Sequence, residues 1–263
     1  MKNCKHTLEK GDIFCMPVAS GRPTQFAVGM VSVDCKRKTL EALHLKGTLE
    51  DELCEEGNLV PVVIGPGKVF YLADHHHLCT ALYRSEVIPE ESKYVFAYVV
   101  DDWSVLEPDQ FWQSMIEGHL CWLWDEKGNG PLNPGLLPHH VNGLLNDPYR
   151  TMARWVRDLG CYTKDVLKTR HRPMCQEEKY LPEKQAKAFF IEFRWANFLR
   201  QNVHLKLHRP DFSLTCRSMP YSGLYLKREG EELIKAFDIV VDLIGCHQLQ
   251  EVTYDREGCL EKS

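Results

Sequence analysis

The strongest chemical signal in this sequence is a run of three histidines behind an aspartate, Asp74-His75-His76-His77. A short apolar run precedes these residues and a helical pattern follows them, so the sequence predicts a strand–turn–helix over residues 71–84. The first N–H groups of a helix have no backbone partner, and the helix dipole makes that end positive. Phosphate binds at helix starts of this kind, and we therefore predict an anion-binding turn.

Histidines at such a turn can donate hydrogen bonds to phosphate oxygens and carry positive charge when protonated. Asp74 could orient an imidazole or hold a metal ion that bridges phosphates. We predict catalytic roles for Asp74, His76 and His77. Consecutive helical residues point about 100° apart, so the three histidines are not expected to form a metal site. The alternative is a capped helix in which one or two histidines are structural.

Other side chains are candidates for phosphate or nucleotide binding. Arginine contacts phosphate through two parallel N–H groups, and glutamine offers both a donor and an acceptor. Arg84 follows on the predicted helix, although a solvated surface charge is the simpler interpretation for it. The predicted phosphate- or nucleotide-binding set is Arg22, Gln25, His75, His76, His77 and Arg84.

The surrounding pattern predicts an α+β fold. The first part has short β-rich runs at 11–16, 25–33, 59–64, 69–73 and 94–100, and a helical stretch at 36–55 that Gly47 and Thr48 divide. Later helices are expected at 108–118, 147–159, 184–204 and 231–243. We therefore predict an N-terminal α/β unit with a small mixed sheet at 1–105, a mainly helical region packed on it at 106–250, and a polar tail at 251–263.

Two further groups in the helical region leave alternatives open. Asp147 precedes Pro148 and is predicted to cap a helix. Glu192 could form a buried pair with an arginine that ties the helical region to the α/β unit. Alternatively, Arg150 or Glu192 could complete the pocket. His139-His140 is interpreted as a pair at a helix start, and the sequence does not say whether it approaches Asp74.

Composition excludes several classes of protein. The net charge of −5 argues against a dedicated nucleic-acid scaffold. The 11 cysteines form no CxxC pair, so we expect no structural zinc and we expect reduced thiols. No apolar run is long enough for a membrane span, and the first twenty residues carry charges where a signal peptide is apolar. The expectation is a cytoplasmic protein without a membrane partner.

Five motifs in order resemble the putative ParB-like nuclease family, a branch of the ParB/sulfiredoxin superfamily. They are RPTQFAVGM at 22–30, VPVVIGPG at 60–67, YLADHHHL at 71–78, DPYR at 147–150 and FIEFRWANFLR at 190–200. The resemblance implies a sulfiredoxin-like fold and phosphate contact through His76 and His77. In sulfiredoxins a cysteine directly precedes the histidine, whereas here Cys79 follows it, so sulfinic-acid reduction is not expected.

The turn and the resemblance together favour a nucleotide- or phosphate-binding enzyme, most simply a phosphotransferase acting on a small molecule. The expected cofactor is ATP or ADP with Mg²⁺, and the expected partners are that nucleotide and a small-molecule substrate. One alternative is a metal-dependent nuclease or phosphodiesterase, in which Asp74 and the histidines hold a divalent ion. The other is a non-enzymatic nucleotide- or DNA-binding module, which the negative net charge makes less favoured.

Overall fold

A mixed sheet and helices make up the part of the chain that the structure describes. The computed structural model describes residues 8–158 and 190–202. Residues 8–26 and 36–144 form one unit, and residues 27–35, 145–158 and 190–202 form a second. The predicted α+β fold is confirmed. The predicted division at residue 105 stays a prediction, and the helix expected at 231–243 and the tail at 251–263 lie outside the described residues.

The first unit is organised around a five-stranded mixed sheet in the order β1-β6-β4-β5-β2. The strands of the described chain are β1 Ile13–Pro17, β2 Gly21–Pro23, β3 Ala27–Val28, β4 Val60–Gly65, β5 Val69–Leu72, β6 Tyr94–Asp102 and β7 Leu145–Asn146. In the sheet, β1 pairs with β6 and β4 with β5 in antiparallel fashion, whereas β4 pairs with β6 and β2 with β5 in parallel. Every residue of β4 is buried, as expected for a central strand covered on both faces.

Helices occupy most of the predicted positions. They are α1 Met30–Lys46, α2 Leu49–Cys54, α3 His76–Arg84, α4 Pro108–Glu117, α5 Pro148–Asp158 and α6 Ile191–Asn202. The predicted break at Gly47 is confirmed, because Gly47 ends α1 with a φ of 75° that favours glycine. Thr48 lies at the start of α2, but its side chain makes no capping hydrogen bond. No helix within the described ranges is long and apolar enough to cross a membrane.

The strand predicted at 25–33 is wrong beyond Val28. Only Ala27–Val28 is extended, and α1 begins at Met30. The Gly29 carbonyl accepts the Val33 N–H at 3.0 Å, and the Met30 N–H donates to Asn146 Oδ1 at 2.9 Å. Tertiary partners thus override the β-branched composition that suggested a strand.

The second unit combines the parallel β3–β7 pair with α5 and α6. Gly29 permits a close backbone approach, since a Cβ there would lie 2.7 Å from the Thr151 nitrogen. Asp147 caps α5 as predicted, and its Oδ1 accepts the Tyr149 N–H at 3.0 Å. Its other oxygen accepts from Arg200 Nη2 at 2.7 Å. Burial raises the pKa of Asp147, and the Arg200 charge opposes that shift.

The cysteines only partly fit the expectation of reduced thiols. Cys15, Cys54, Cys79 and Cys121 carry free thiols. Cys35, in contrast, is disulfide-bonded, so the expectation is wrong at that position. The prediction for the cysteines at 4, 161, 175, 216, 246 and 259 falls outside the described residues.

Candidate functional site

The strand–turn–helix predicted at residues 71–84 is present. Strand β5 ends at Leu72, and α3 begins at His76 after a turn of three residues. Strand β2 runs parallel to β5, with Arg22 opposite Tyr71 and Pro23 opposite Leu72. Both strands therefore end on the side where α3 begins. In α/β sheets this carboxyl edge is where ligands bind.

His75 makes the turn. Its φ of 63° and ψ of 22° place it in the left-handed region, which residues other than glycine rarely occupy. The His75 N–H donates to Asp74 Oδ1 at 2.7 Å, and its carbonyl accepts the Cys79 N–H at 3.0 Å, which begins the helix. Left-handed residues of this kind cost about 1–3 kcal/mol and cluster at ligand sites. His75 therefore sets the direction in which α3 starts.

His76 is buried, with only 2% of its surface exposed. Its Nε2 accepts the Thr24 backbone N–H at 3.1 Å, and the Thr24 hydroxyl donates to the Leu72 carbonyl at 2.6 Å. An imidazole nitrogen that accepts carries no proton. His76 thus fastens the end of β2 to the start of α3. This geometry favours a positioning role, while the predicted catalytic role of His76 stays a prediction.

Asp74, His75 and His77 are the half-buried residues of the turn. His77 lies in the first turn of α3, where positive potential from the helix dipole is strongest. Asp74 places a carboxylate at the same helix end, since its Oδ1 accepts the His75 N–H. A phosphate bound beside Asp74 would meet this negative charge. A cation between them, either Mg²⁺ or a protonated histidine, would remove the repulsion.

Arg22 lies at the same carboxyl edge and is half-buried. Its Nη1 donates to the Tyr71 hydroxyl at 3.4 Å, and its guanidinium carbon lies 5.9 Å from the centre of the Tyr71 ring. Its Nη2 donates to His139 Nδ1. Within the described ranges no carboxylate pairs with Arg22. The Arg22 side chain is therefore held by the Tyr71 hydroxyl and the His139 ring, and its positive charge stays available to attract an anion.

The other two predicted binding residues are placed differently. Gln25 is buried, 3% exposed, and its backbone bridges to Trp122 beside the turn. Arg84 lies in the last turn of α3, about 12 Å along the helix axis from His76 at 1.5 Å per residue. The structure therefore brings Arg22, Asp74, His75 and His77 to one edge, and it leaves Arg84 at the far end of the helix.

Cys79 does not add a nucleophile to the site. The side chain is fully buried in α3. Burial, with a smaller contribution from the Asp74 charge, raises the pKa of the Cys79 thiol to about 12. A thiol with such a pKa stays protonated and is a poor nucleophile near neutral pH.

The sequence left open whether His139 approaches the turn, and it favoured a pair of histidines at a helix start. This exposed residue lies two positions before a 3₁₀ turn at Val141–Gly143, and that turn packs against both β2 and α3. The loop thereby brings His139 to Arg22, which lies 117 residues earlier in the chain. No local pattern could have shown this contact, because it depends on where the loop packs on the sheet and helix.

The described parts of the chain contain no cluster of candidate metal ligands. In residues 8–158 and 190–202, no three His, Cys, Asp or Glu side chains are arranged to hold a metal ion. Any Mg²⁺ at the turn would therefore take its remaining ligands from phosphate oxygens and water, which is common for this ion. Asp74 is the carboxylate at the turn that could bind Mg²⁺.

Comparison with known proteins identifies the family. The model of the family described as "Putative ParB-like nuclease" matches residues 14–171, more than half of the chain. The chain belongs to this family. The matched segment of the ParB-like protein contains Arg22, the α3 turn and His139. The resemblance seen in the sequence is thereby confirmed.

One solved structure is similar to this chain over most of its length. The ParB-like chain is similar to the crystal structure of protein Atu1540 from Agrobacterium tumefaciens, with 28% sequence identity and a TM-score of 0.54. The match covers 87% of this chain and 91% of that one. No curated protein matches the chain.

Proposed function

We propose that this ParB-like protein is a nucleotide- or phosphate-binding enzyme, most simply a phosphotransferase that acts on a small molecule. The observation that carries the proposal is the carboxyl edge of β2 and β5. There the start of α3 lies beside Arg22, an arginine without a carboxylate partner among the described residues. A helix start and such an arginine both favour anions.

Each residue of the turn has a distinct part in the proposal. His77 and the first N–H groups of α3 bind a phosphate group of ATP or ADP. Asp74 holds the Mg²⁺ that offsets its own charge against the phosphate oxygens. His76 fixes Thr24 against the helix start, and His75 turns the chain so that the N–H groups point outward. Phosphoryl transfer relies chiefly on such positioning and charge compensation.

Replacing His77 with alanine is expected to weaken ADP binding about tenfold to a hundredfold, because a donor at the positive end of α3 is lost. Isothermal titration calorimetry with Mg²⁺ present measures this change. Arg84→Ala is the matched control: it removes a cation from the far end of the same helix and should change the affinity by less than about twofold.

Two outcomes contradict the proposal. If the unaltered protein binds neither ATP nor ADP with Mg²⁺ present, the proposed function is wrong. If Arg84→Ala weakens binding as much as His77→Ala does, the phosphate does not lie at the start of α3, and the site must be sought elsewhere along the helix.

A second candidate is a metal-dependent nuclease or phosphodiesterase. The family description and the Asp74 carboxylate at the turn favour it. In this case single-stranded DNA should be cleaved with Mg²⁺, Mn²⁺ or Zn²⁺, and Asp74→Asn should lower the rate about a hundredfold or more, because the neutral amide binds a divalent ion weakly. Cleavage that persists unchanged in Asp74→Asn would show that another protein in the preparation cuts the DNA.

A further inference from the structure

Arg22 and His139 form a cluster beside the α3 turn, and the hydrogen bonds proposed for the first phosphate leave it without a ligand of its own. Arg22 is half-buried on β2 and donates to two neutral partners, the Tyr71 hydroxyl and His139 Nδ1. Guanidinium groups in partly buried positions are usually matched by a carboxylate or phosphate. Here the described residues supply none, so the charge lacks its usual acceptor.

The tautomer of His139 follows from this contact. Because Nδ1 accepts a hydrogen bond from Arg22, the neutral imidazole carries its proton on Nε2. His139 is an exposed residue, and among the described residues no hydrogen bond uses its Nε2. His139 therefore holds Arg22 in place while presenting a donor of its own. The Arg22 guanidinium and this Nε2–H are two donors within one side-chain length of each other, and an exposed imidazole that turns about its side-chain bonds can bring both to one phosphate group.

The cluster lies within reach of the α3 turn. Tyr71, the neighbour of Arg22 in the sheet, precedes Asp74 by three residues. An extended chain advances about 3.3–3.6 Å per residue, so the Cα atoms of Tyr71 and Asp74 are at most about 11 Å apart. The long arginine side chain can cover much of that distance. A ligand longer than one phosphate could therefore contact both the Arg22–His139 cluster and the α3 turn.

We propose that Arg22 and His139 form a second anion subsite beside the α3 turn, so that the site takes a ligand with two linked phosphate groups, such as a nucleoside diphosphate or pyrophosphate. This inference rests on the proposed function, since the first phosphate is placed at the turn. The second phosphate replaces His139 as the acceptor for Arg22 Nη2, and the exposed His139 ring turns so that its Nε2–H donates to the same phosphate.

Calorimetry with inorganic pyrophosphate and with orthophosphate tests the subsite on the full chain. Pyrophosphate should bind more tightly than orthophosphate. His139→Ala should weaken pyrophosphate binding about tenfold through loss of one charge-assisted hydrogen bond, and should change orthophosphate binding by less than about twofold. Arg22→Ala should show the same selectivity. His140→Ala, a neighbouring exposed histidine, is the control and should change neither affinity.

Equal effects of His139→Ala on the two ligands would overturn the subsite, because they would show that the loop merely supports the turn. No effect on either ligand would overturn it as well, while leaving the proposed function intact. If neither ligand nor any nucleotide binds the unaltered protein, the subsite and the proposed function are both wrong. His139→Gln, which keeps a donor and an acceptor, should recover part of the pyrophosphate affinity, and an unchanged melting temperature shows that folding is not affected.

Discussion

Replacing Glu192 with alanine is expected to lower the free energy of unfolding by about 3–5 kcal/mol. Glu192 is 1% exposed, and its Oε1 accepts from Arg157 Nη1 at 2.6 Å and lies 3.5 Å from Arg150 Nη2. The Nε and Nη1 atoms of Arg150 are also buried and have no hydrogen-bond partner in the described structure. Without Glu192 the Arg150 charge would stay buried against the Phe193 ring, 5.2 Å away, and its nearest carboxylate would be Asp147, which already pairs with Arg200. Urea denaturation of the full chain measures the loss.

A double-mutant cycle separates the buried charge from simple loss of packing. Arg150→Met combined with Glu192→Leu removes both charges and keeps apolar volume, so the double variant should be more stable than the sum of the single effects predicts. Arg194→Ala serves as the control on the same helix, because Arg194 is exposed, and should cost less than about 0.5 kcal/mol. A loss below about 1 kcal/mol for Glu192→Ala would show that the arginines are solvated when the carboxylate is absent.

Local sequence patterns predicted the elements that carry the site. The apolar run before Asp74 and the periodicity after it indicated a strand and a helix, and the structure has β5 and α3 there. Asp147 ahead of Pro148 indicated a helix start, and Asp147 caps α5. These predictions succeeded because a cap, a glycine stop or an apolar run acts within a few residues of its own position.

Features that depend on distant contacts could not be predicted. Which of the three histidines is buried depends on Thr24, 52 residues before His76. The pairing of Arg22 with His139 crosses 117 residues. A buried Glu–Arg pair is present at Glu192, but its partners Arg150 and Arg157 lie on α5, so the pair joins α5 to α6 and its predicted role in tying the helical region to the α/β unit stays a prediction. Sequence periodicity shows which face of its own helix or strand a residue occupies. It does not show which other element packs against that face.

Replacing His76 with alanine is expected to lower the free energy of unfolding by about 2–4 kcal/mol, through a cavity and an unsatisfied buried N–H at Thr24. The imidazole is 2% exposed and accepts that N–H at 3.1 Å. His77→Ala, which removes the adjacent half-buried ring, should cost less than about 1 kcal/mol. Chemical denaturation of the two variants compares a positioning histidine with a ligand-facing one on the same turn.

His76→Gln decides between the two roles of His76. The glutamine side-chain oxygen can take the place of Nε2 as the acceptor for the Thr24 N–H, so stability and ADP affinity should both recover in large part. A histidine that contacts phosphate through its charge would not be replaced in this way, since glutamine is neutral at every pH. If His76→Gln restores stability while ADP binding stays lost, His76 contacts the ligand directly. If both return, His76 acts by holding Thr24 at the start of α3, and the histidine that meets the phosphate is His77.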